Sequence, residues 1–390
     1  MFDSIKKYIK GDSTIWIIII GLSIFSLLAV YSATGTLSYL KRGGNTSFYM
    51  FKQMASIISG IGIIILMSNI HYRLYSRFAL PFLYLSILLL LYAIFSGGIN
   101  LNDTERWAKI PLIGISFQPS EIAKLAIIVY VARILGRNQG DREALSKSFW
   151  NIMIHTLIVV GLIFKDNLST AVLIFGVVMI MMFIGKMPAK YLLGTVVVSV
   201  ALFALLLFIA PKVGLKRAET WTARVERFFS PEDAENKHLN YQSDQAKIAI
   251  ASGGFIGKGP GNSEQRNFIP HPYSDFIYAI IGEEYGFWGA CLILAAYIWL
   301  LGRVGVIVRK SSKAFPAFMV LGLGFLLAAQ AFINMGVSVG IFPVTGQPLP
   351  LVSMGTTSIF STCVAFGAIL CVSSQNDEEA KEKGKKEEVN

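Results

Sequence analysis

Cysteine, histidine and charge are what this sequence has least of. Three cysteines stand among 390 residues, Cys291, Cys363 and Cys371, each inside an apolar stretch and without paired spacing. Neither a disulfide framework nor a zinc site follows from them. The four histidines, His71, His155, His238 and His271, are scattered singly, which argues against a histidine-based metal cluster. Charged residues make up 15% of the chain against 54% hydrophobic ones, and the mean hydropathy is +0.58. That balance lies outside the soluble globular range and fits a polytopic membrane protein. A cleavable leader is not expected, because the first apolar run is long and lacks a small-x-small site ahead of a polar segment.

A net charge of +11 in such a chain reports topology and contact with anionic membrane lipid, and no nucleic acid partner is expected. A spanning helix needs about 20 mostly apolar residues. Ten stretches qualify: 15–32, 51–70, 79–95, 119–135, 149–164, 168–184, 191–210, 275–301, 314–339 and 353–372. The expected fold is therefore an all-α polytopic membrane protein with ten transmembrane helices over residues 1–373. A charged tail, 374–390, is expected to be disordered.

Lysine and arginine orient the bundle. Lys6, Lys7 and Lys10 precede the first stretch, Arg73 and Arg77 follow the second, and Arg137, Arg142 and Lys147 follow the fourth. Lys186 and Lys190 follow the sixth, while Arg303, Arg309, Lys310 and Lys313 follow the eighth. With ten crossings all of these share one side, so both termini are expected in the cytoplasm. A large extracytoplasmic loop, 211–274, then lies between spans seven and eight. It is basic, which asks for an anionic partner, and it contains a short amphipathic helix over 241–252 ended by Gly253-Gly254.

Several residues invite a chemical reading, each beside a plainer one. Asp275 opens the eighth span as either an ordinary helix cap or a general base at a water-accessible rim. Glu283 and Glu284 lie deeper, where carboxylates are costly and tend to be functional; a buried lysine would make them structural instead. The fourth span offers Lys124 as such a partner. Glu121 and Lys124, three apart, form a self-neutralising pair or the polar wall of a cavity.

Arg106-Trp107 reads as an interfacial anchor or a phosphate clamp, and Arg224 with Arg227 poses the same choice. The glycine run around Lys258 lacks the spacing of a nucleotide phosphate loop, with Gly259 where serine or threonine belongs. The stretch FPVTGQPLPLVSMGTTS, 342–358, carries Gln347 and Ser353 among three prolines. Irregular polar backbone at membrane depth belongs where it lines a cavity or is buried in protein. Gln330 and Asn334, four apart in the ninth span, face the same interior or bond a neighbouring helix.

Five ordered motifs carry a family resemblance: RW followed by FQPSEIAKLA up to Ala126, YQSDQAKIAIASGG (241–254), GKGPGNS (257–263), SDFIYAIIGEEYG (274–286) and PVTGQPLPLVSMGTTS (343–358). The resemblance they carry extends over nearly the whole chain. The sequence resembles the shape, elongation, division and sporulation (SEDS) family of bacterial peptidoglycan polymerases. The compact GPGNSEQRNF run is more similar to its FtsW-type division members than to its RodA-type elongation members. The resemblance implies a ten-span glycosyltransferase that polymerises lipid II at the outer face of the bacterial cytoplasmic membrane, at the division site. It works there with a class B penicillin-binding protein and other division proteins.

By the same resemblance the essential aspartate falls on Asp275, the cavity positions on Arg106, Glu121 and Lys124, and loop contacts on Arg224, Arg227, Gln242 and Gln245; Gln347 and Ser353 join them as substrate contacts. No resident cofactor is implied beyond a divalent cation, magnesium or manganese. This chain departs from the pattern in three places. An auxiliary glutamate before the base is missing from the run Pro270-His271-Pro272-Tyr273-Ser274-Asp275; Asn167 replaces a usual aspartate; and Thr356 replaces a glycine. A lipid II flippase using Glu283, Glu284 and Lys124 as a transport path, and a non-catalytic scaffold, are the competing readings.

Overall fold

A computed structural model describes residues 10–95, 108–109, 116–209 and 241–389. Arg106, Trp107, Arg224 and Arg227 fall outside the described residues. The described chain runs α1 (Ser13–Ala33), α2 (Gly35–Arg42), α3 (Ser47–Ser68), α4 (Tyr72–Phe95), β1 (Ala108–Lys109) and β2 (Ser116–Phe117). It continues through α5 (Pro119–Asn138), α6 (Arg142–Phe164), α7 (Leu168–Ile184), α8 (Ala189–Ile209) and α9 (Tyr241–Gly253). A 3-10 turn (Gln265–Asn267) then leads to α10 (Ile277–Lys310), α11 (Ala314–Ser338) and α12 (Thr356–Val389). The two short strands pair antiparallel, Ala108 with Phe117 and Lys109 with Ser116.

Helix starts are written in the sequence. The Asp12 carboxylate accepts from the N–H groups of Thr14 and Ile15, and Asp141 does the same for Glu143 and Ala144. Asn167 caps α7 by accepting from Thr170, and Pro119 opens α5 at the position where its missing N–H costs nothing. Each of the ten expected stretches contains helix, with bounds that differ by a few residues. Among the described residues seven helices are long and apolar enough to cross a membrane; Leu168–Ile184 and Ala189–Leu205 are shorter apolar segments. Helix α5 carries the extra charges.

Burial separates the centre from the rim. The apolar windows of α11 and α12 are 67% and 72% buried, against 28% for α3, α4 and α10, so α11 and α12, with α5, form the core and the others show one face to lipid. Helix α11 packs on α5, α7 and α10, and α12 packs on α3. Gly322 permits the close approach, since a Cβ there would stand 2.6 Å from Met181 Sδ and 2.7 Å from Ile128 Cγ2.

The structure differs from the sequence expectations at three elements. Helix α4 begins at Tyr72, seven residues early, and carries Pro81 inside it. Helix α12 runs through the tail, described as helix to Val389, where disorder was expected; its glutamates find lysines of other elements, Glu378 with Lys10 at 3.7 Å and Glu379 with Lys313 at 3.5 Å. The third is a break within α10, taken up below.

These ion pairs also fix the ends of the bundle. Asp12 pairs with Arg303, and Lys313 Nζ donates to Tyr72 Oη at 2.7 Å. Burial opposes the charge on Asp12, but Arg303 and the Ile15 and Thr14 N–H groups hold its carboxyl below its ordinary value. The start of α1, the α3–α4 and α10–α11 connections and the tail thus meet at one end, and Asp275 stands at the other.

Candidate active site

Asp275 lies one residue outside α10, whose cap position is Phe276. It is half-buried, and Ser274 Oγ donates to its Oδ1 at 2.8 Å. Gly346 lies beside the other oxygen, Oδ2 standing 3.5 Å from where a Cβ on that glycine would be. The backbone around it is held from two directions. Asn334 Nδ2, from α11, donates to Asp275 O at 2.8 Å and to Gln347 O at 2.7 Å. Ser353 Oγ donates to Ser274 O at 2.6 Å, and the Met354 N–H to Tyr273 O at 2.9 Å.

The 339–355 segment that supplies these donors is itself anchored. Gln347 Nε2 donates to Thr170 Oγ1 at 2.7 Å, and Gln330 Nε2 to Pro348 O at 2.9 Å. Lys124 Nζ donates to Gln330 Oε1 at 2.9 Å and lies 2.7 Å from the Glu121 carboxylate, which also accepts from Ser361. A continuous set of bonds therefore runs from α5 and α12 through α11 to the aspartate, and every link is inside the bundle. Such networks, when satisfied, specify one arrangement of the groups they hold.

Four of the residues expected at the substrate are buried in protein. Glu121, Lys124, Gln347 and Ser353 are 4%, 2%, 3% and 2% exposed, and their polar atoms are directed to protein partners. These partners hold each of them in place, as a buried charge or amide requires. Asn334, by contrast, was read only as a generic interior polar residue, yet it bonds the aspartate's own carbonyl. Its four-residue spacing from Gln330 in an apolar helix was the signal.

The two glutamates form a separate assembly. Helix α10 is broken at Gly286, with φ 66° and ψ −161°. The glycine run packs against the break: the N–H groups of Lys258 and Gly259 donate to Glu283 O and Glu284 O at 3.0 and 2.9 Å, and Phe287 N–H donates to Gly254 O at 2.9 Å. A Cβ on Gly286 would stand 2.5 Å from Gly257 N, and one on Gly253 2.0 Å from Gly282 O, so the two backbones touch only because both lack side chains there.

The Glu283 carboxylate is fully buried and accepts from Lys258 Nζ at 2.9 Å, Ser263 Oγ at 2.5 Å, and the N–H groups of Glu264 and Gln265 at 3.1 and 3.2 Å. Glu284 accepts from Ser32 Oγ, to which Arg266 also donates at 3.1 Å. The lysine that pairs with Glu283 is thus Lys258 of the loop, and Lys124 is engaged elsewhere. Glu283 first, then Glu264, raises the Lys258 ammonium above its ordinary value. The glycine run serves as a clamp over a discontinuous helix, the arrangement by which unwound backbone is satisfied at membrane depth.

Gln242 and Gln245 are half-buried on α9, which packs on α10 through Ala246, Ala249 and Gly253. Lys247 Cε reaches Gly340 at the start of the 339–355 segment, 2.6 Å from where a Cβ would be. Two of the three departures are accommodated. Asn167 supplies the cap an aspartate would, and Thr356, exposed at the start of α12, lies 3.4 Å from Ser56 Oγ. His271, in place of a glutamate, adopts φ 53° and contacts the Tyr273 hydroxyl at 3.1 Å. Burial first, then Tyr49 and Asp275, raises that phenol above its ordinary value. Among the described residues no group of three or more His, Cys, Asp or Glu could hold a metal. Asp275 offers a single hard oxygen donor, the kind magnesium takes together with substrate phosphates.

Comparison with known proteins agrees with this architecture. The family model described as "Cell cycle protein", covering FtsW, RodA and SpoVE, matches residues 12–378. A probable peptidoglycan glycosyltransferase FtsW of Geobacter metallireducens is 32% identical over 377 residues, 95% of this chain and 97% of that protein. The peptidoglycan glycosyltransferase MrdB of Escherichia coli K12 is 31% identical over 365 residues, 93% of each. A chain of a solved peptidoglycan synthase complex, described as coordinating polymerization and crosslinking, superposes with a TM-score of 0.74 at 23% identity, over 94% of this chain and 98% of its own.

Proposed function

Because the chain belongs to the FtsW, RodA and SpoVE family, we propose that it is a peptidoglycan glycosyltransferase polymerising lipid II at the outer face of the cytoplasmic membrane, with ten spans and both termini inside. The observation that carries the reading is Asp275: a half-buried carboxylate whose backbone is locked by Asn334, Ser353 and Met354 at the end of the bundle opposite Lys10 and Glu378. Nucleotide sugars are absent outside that membrane, so a polymerase there needs a donor carrying its own leaving group, and a lipid-linked pyrophosphate is one.

In this reading Asp275 takes the proton of the acceptor's GlcNAc 4-hydroxyl as that oxygen attacks C1 of the donor's MurNAc. The new C1–O bond forms with inversion as the bond from C1 to the pyrophosphate oxygen breaks, and undecaprenyl pyrophosphate departs. A positioned base contributes about 10²–10⁴-fold. Arg106, Arg224 and Arg227 would stabilise the leaving pyrophosphate by the fork geometry of guanidinium. Lys124, neutralised by Glu121, is withdrawn from that role.

The division assignment rests on the compact 259–268 run, and an elongation role is the nearest alternative, since relatives of both kinds match. A class B penicillin-binding protein is the proposed partner. Purified protein, alone and with such a transpeptidase, given labelled lipid II in liposomes should yield glycan ladders. Movement of lipid II between leaflets without ladders would establish the flippase reading instead.

A further inference from the structure

We propose that the end of the bundle bearing the basic connections holds a binding site for the phosphate of an anionic phospholipid, in a notch between the α5–α6 and α7–α8 connections. The notch is a cavity of about 600 Å³ lined by Gln139, Arg142, Leu145, Lys186, Met187 and Ala189 among others. Leu145 and Met187, each 4% exposed, form its floor. Arg142 and Lys186 are exposed and form no ion pair among the described residues. The acids beside them are engaged otherwise: Asp141 caps α6 through the Glu143 and Ala144 N–H groups, and Glu143 lies 2.7 Å from Lys147.

The backbone singles out Lys186. It adopts φ 61°, the left-handed position that follows a helix and is ordinarily a glycine; its N–H donates to Phe183 O at 3.0 Å and that of Met187 to Met182 O at 3.0 Å, closing the end of α7. A long cationic side chain thus stands where glycine would be less strained, at the mouth of the notch. The first turn of α8 opens on the same cavity through Ala189, adding backbone N–H groups that favour an anion.

The surroundings identify a lipid. Phe183 and Leu193, flanking the notch on α7 and α8, are 71% and 68% exposed, and Trp150, lower on α6, is 64% exposed. A cationic pocket directly above an acyl-facing apolar surface matches a molecule with a phosphate head and hydrocarbon tails. Because Lys10 and Lys313 lie at the same end, the leaflet is the cytoplasmic one in the topology proposed above, and the inference rests on that topology only for which leaflet it names.

The test uses the full chain in nanodiscs of phosphatidylcholine with or without phosphatidylglycerol, read by native mass spectrometry of retained lipid and by thermal midpoint. Wild type should retain phosphatidylglycerol and gain in midpoint. The double variant Arg142→Gln, Lys186→Gly should bind it about 30-fold more weakly, the loss of two cations at a membrane surface, while its midpoint in phosphatidylcholine stays level or rises because glycine relieves the backbone. Arg73→Gln, at the same end but outside the notch, should behave as wild type. A double variant that keeps both the lipid and the midpoint gain overturns the site. Millimolar inorganic phosphate reproducing the full gain in phosphatidylcholine would overturn the lipid assignment. Loss of glycan ladders in the polymerisation assay leaves these readouts untouched, so the two proposals fail separately.

Discussion

Replacing Glu283 by alanine would take the acceptor away from one ammonium, two serine hydroxyls, Ser263 at 2.5 Å and Ser252 at 3.4 Å, and two backbone N–H groups at 3.1 and 3.2 Å, all around the clamp over the broken helix. Lys258 is a quarter exposed and keeps Glu264 at 3.1 Å, so the loss falls on the serine hydroxyls and two backbone N–H groups left without their acceptor, about 1 kcal/mol or more each. The cost falls on the clamp, because the glycine run and the 3-10 turn are joined to α10 through these atoms and a few backbone bonds, while α9 packs on α10 by its own buried face. Local opening of residues 254–267 should therefore become roughly two to three orders of magnitude more frequent, at 1.4 kcal/mol per tenfold. Hydrogen exchange at the Lys258 and Gly259 amides, which donate to Glu283 O and Glu284 O, reads this directly. Glu283→Gln keeps an acceptor but loses charge-assisted strength, about 1 kcal/mol, and should raise exchange only about fivefold. Exchange within twofold of wild type in the alanine variant, together with lost activity, would refute the structural role and return Glu283 to the chemistry.

Three further outcomes follow from the same geometry. Lys124→Ala leaves Glu121 buried without its partner and should destabilise the bundle by about 3–5 kcal/mol, whereas the double change Glu121→Leu, Lys124→Met should recover most of that in thermal unfolding. Asn334→Leu deprives Asp275 O and Gln347 O of their shared donor, about 1–3 kcal/mol; turnover should fall more than the unfolding midpoint accounts for, and unchanged turnover would remove the positioning role. The raised Lys258 ammonium contributes stability that is fully present below the ordinary lysine value of 10.5 and lost as pH rises through its higher folded value. Midpoints scanned across alkaline pH should show that loss in wild type, and Lys258→Met should lack it.

The helices were legible because their apolar runs and caps are local: Asp12, Asp141, Asn167 and Pro119 mark starts that the structure keeps. Asp275 was legible through its motif. The break at Gly286 was not, because nothing in an apolar run announces that its carbonyls will be taken by the Lys258 and Gly259 N–H groups about 25 residues earlier. For the same reason Lys124 and Lys258 were exchanged as partners of Glu283: both lie at plausible depth, and only tertiary packing decides which arrives. Gln347 and Ser353 were read as facing a substrate since polar groups at membrane depth need partners; Thr170 Oγ1 and Ser274 O, distant in sequence, are those partners.

The most direct test of the account is glycan-chain synthesis by Asp275→Asn with its transpeptidase partner present. The asparagine keeps an oxygen for the Ser274 hydroxyl, so the account predicts an unfolding midpoint and lipid II binding close to wild type with no ladder formed. Ladders made by that variant at a rate near wild type would contradict it.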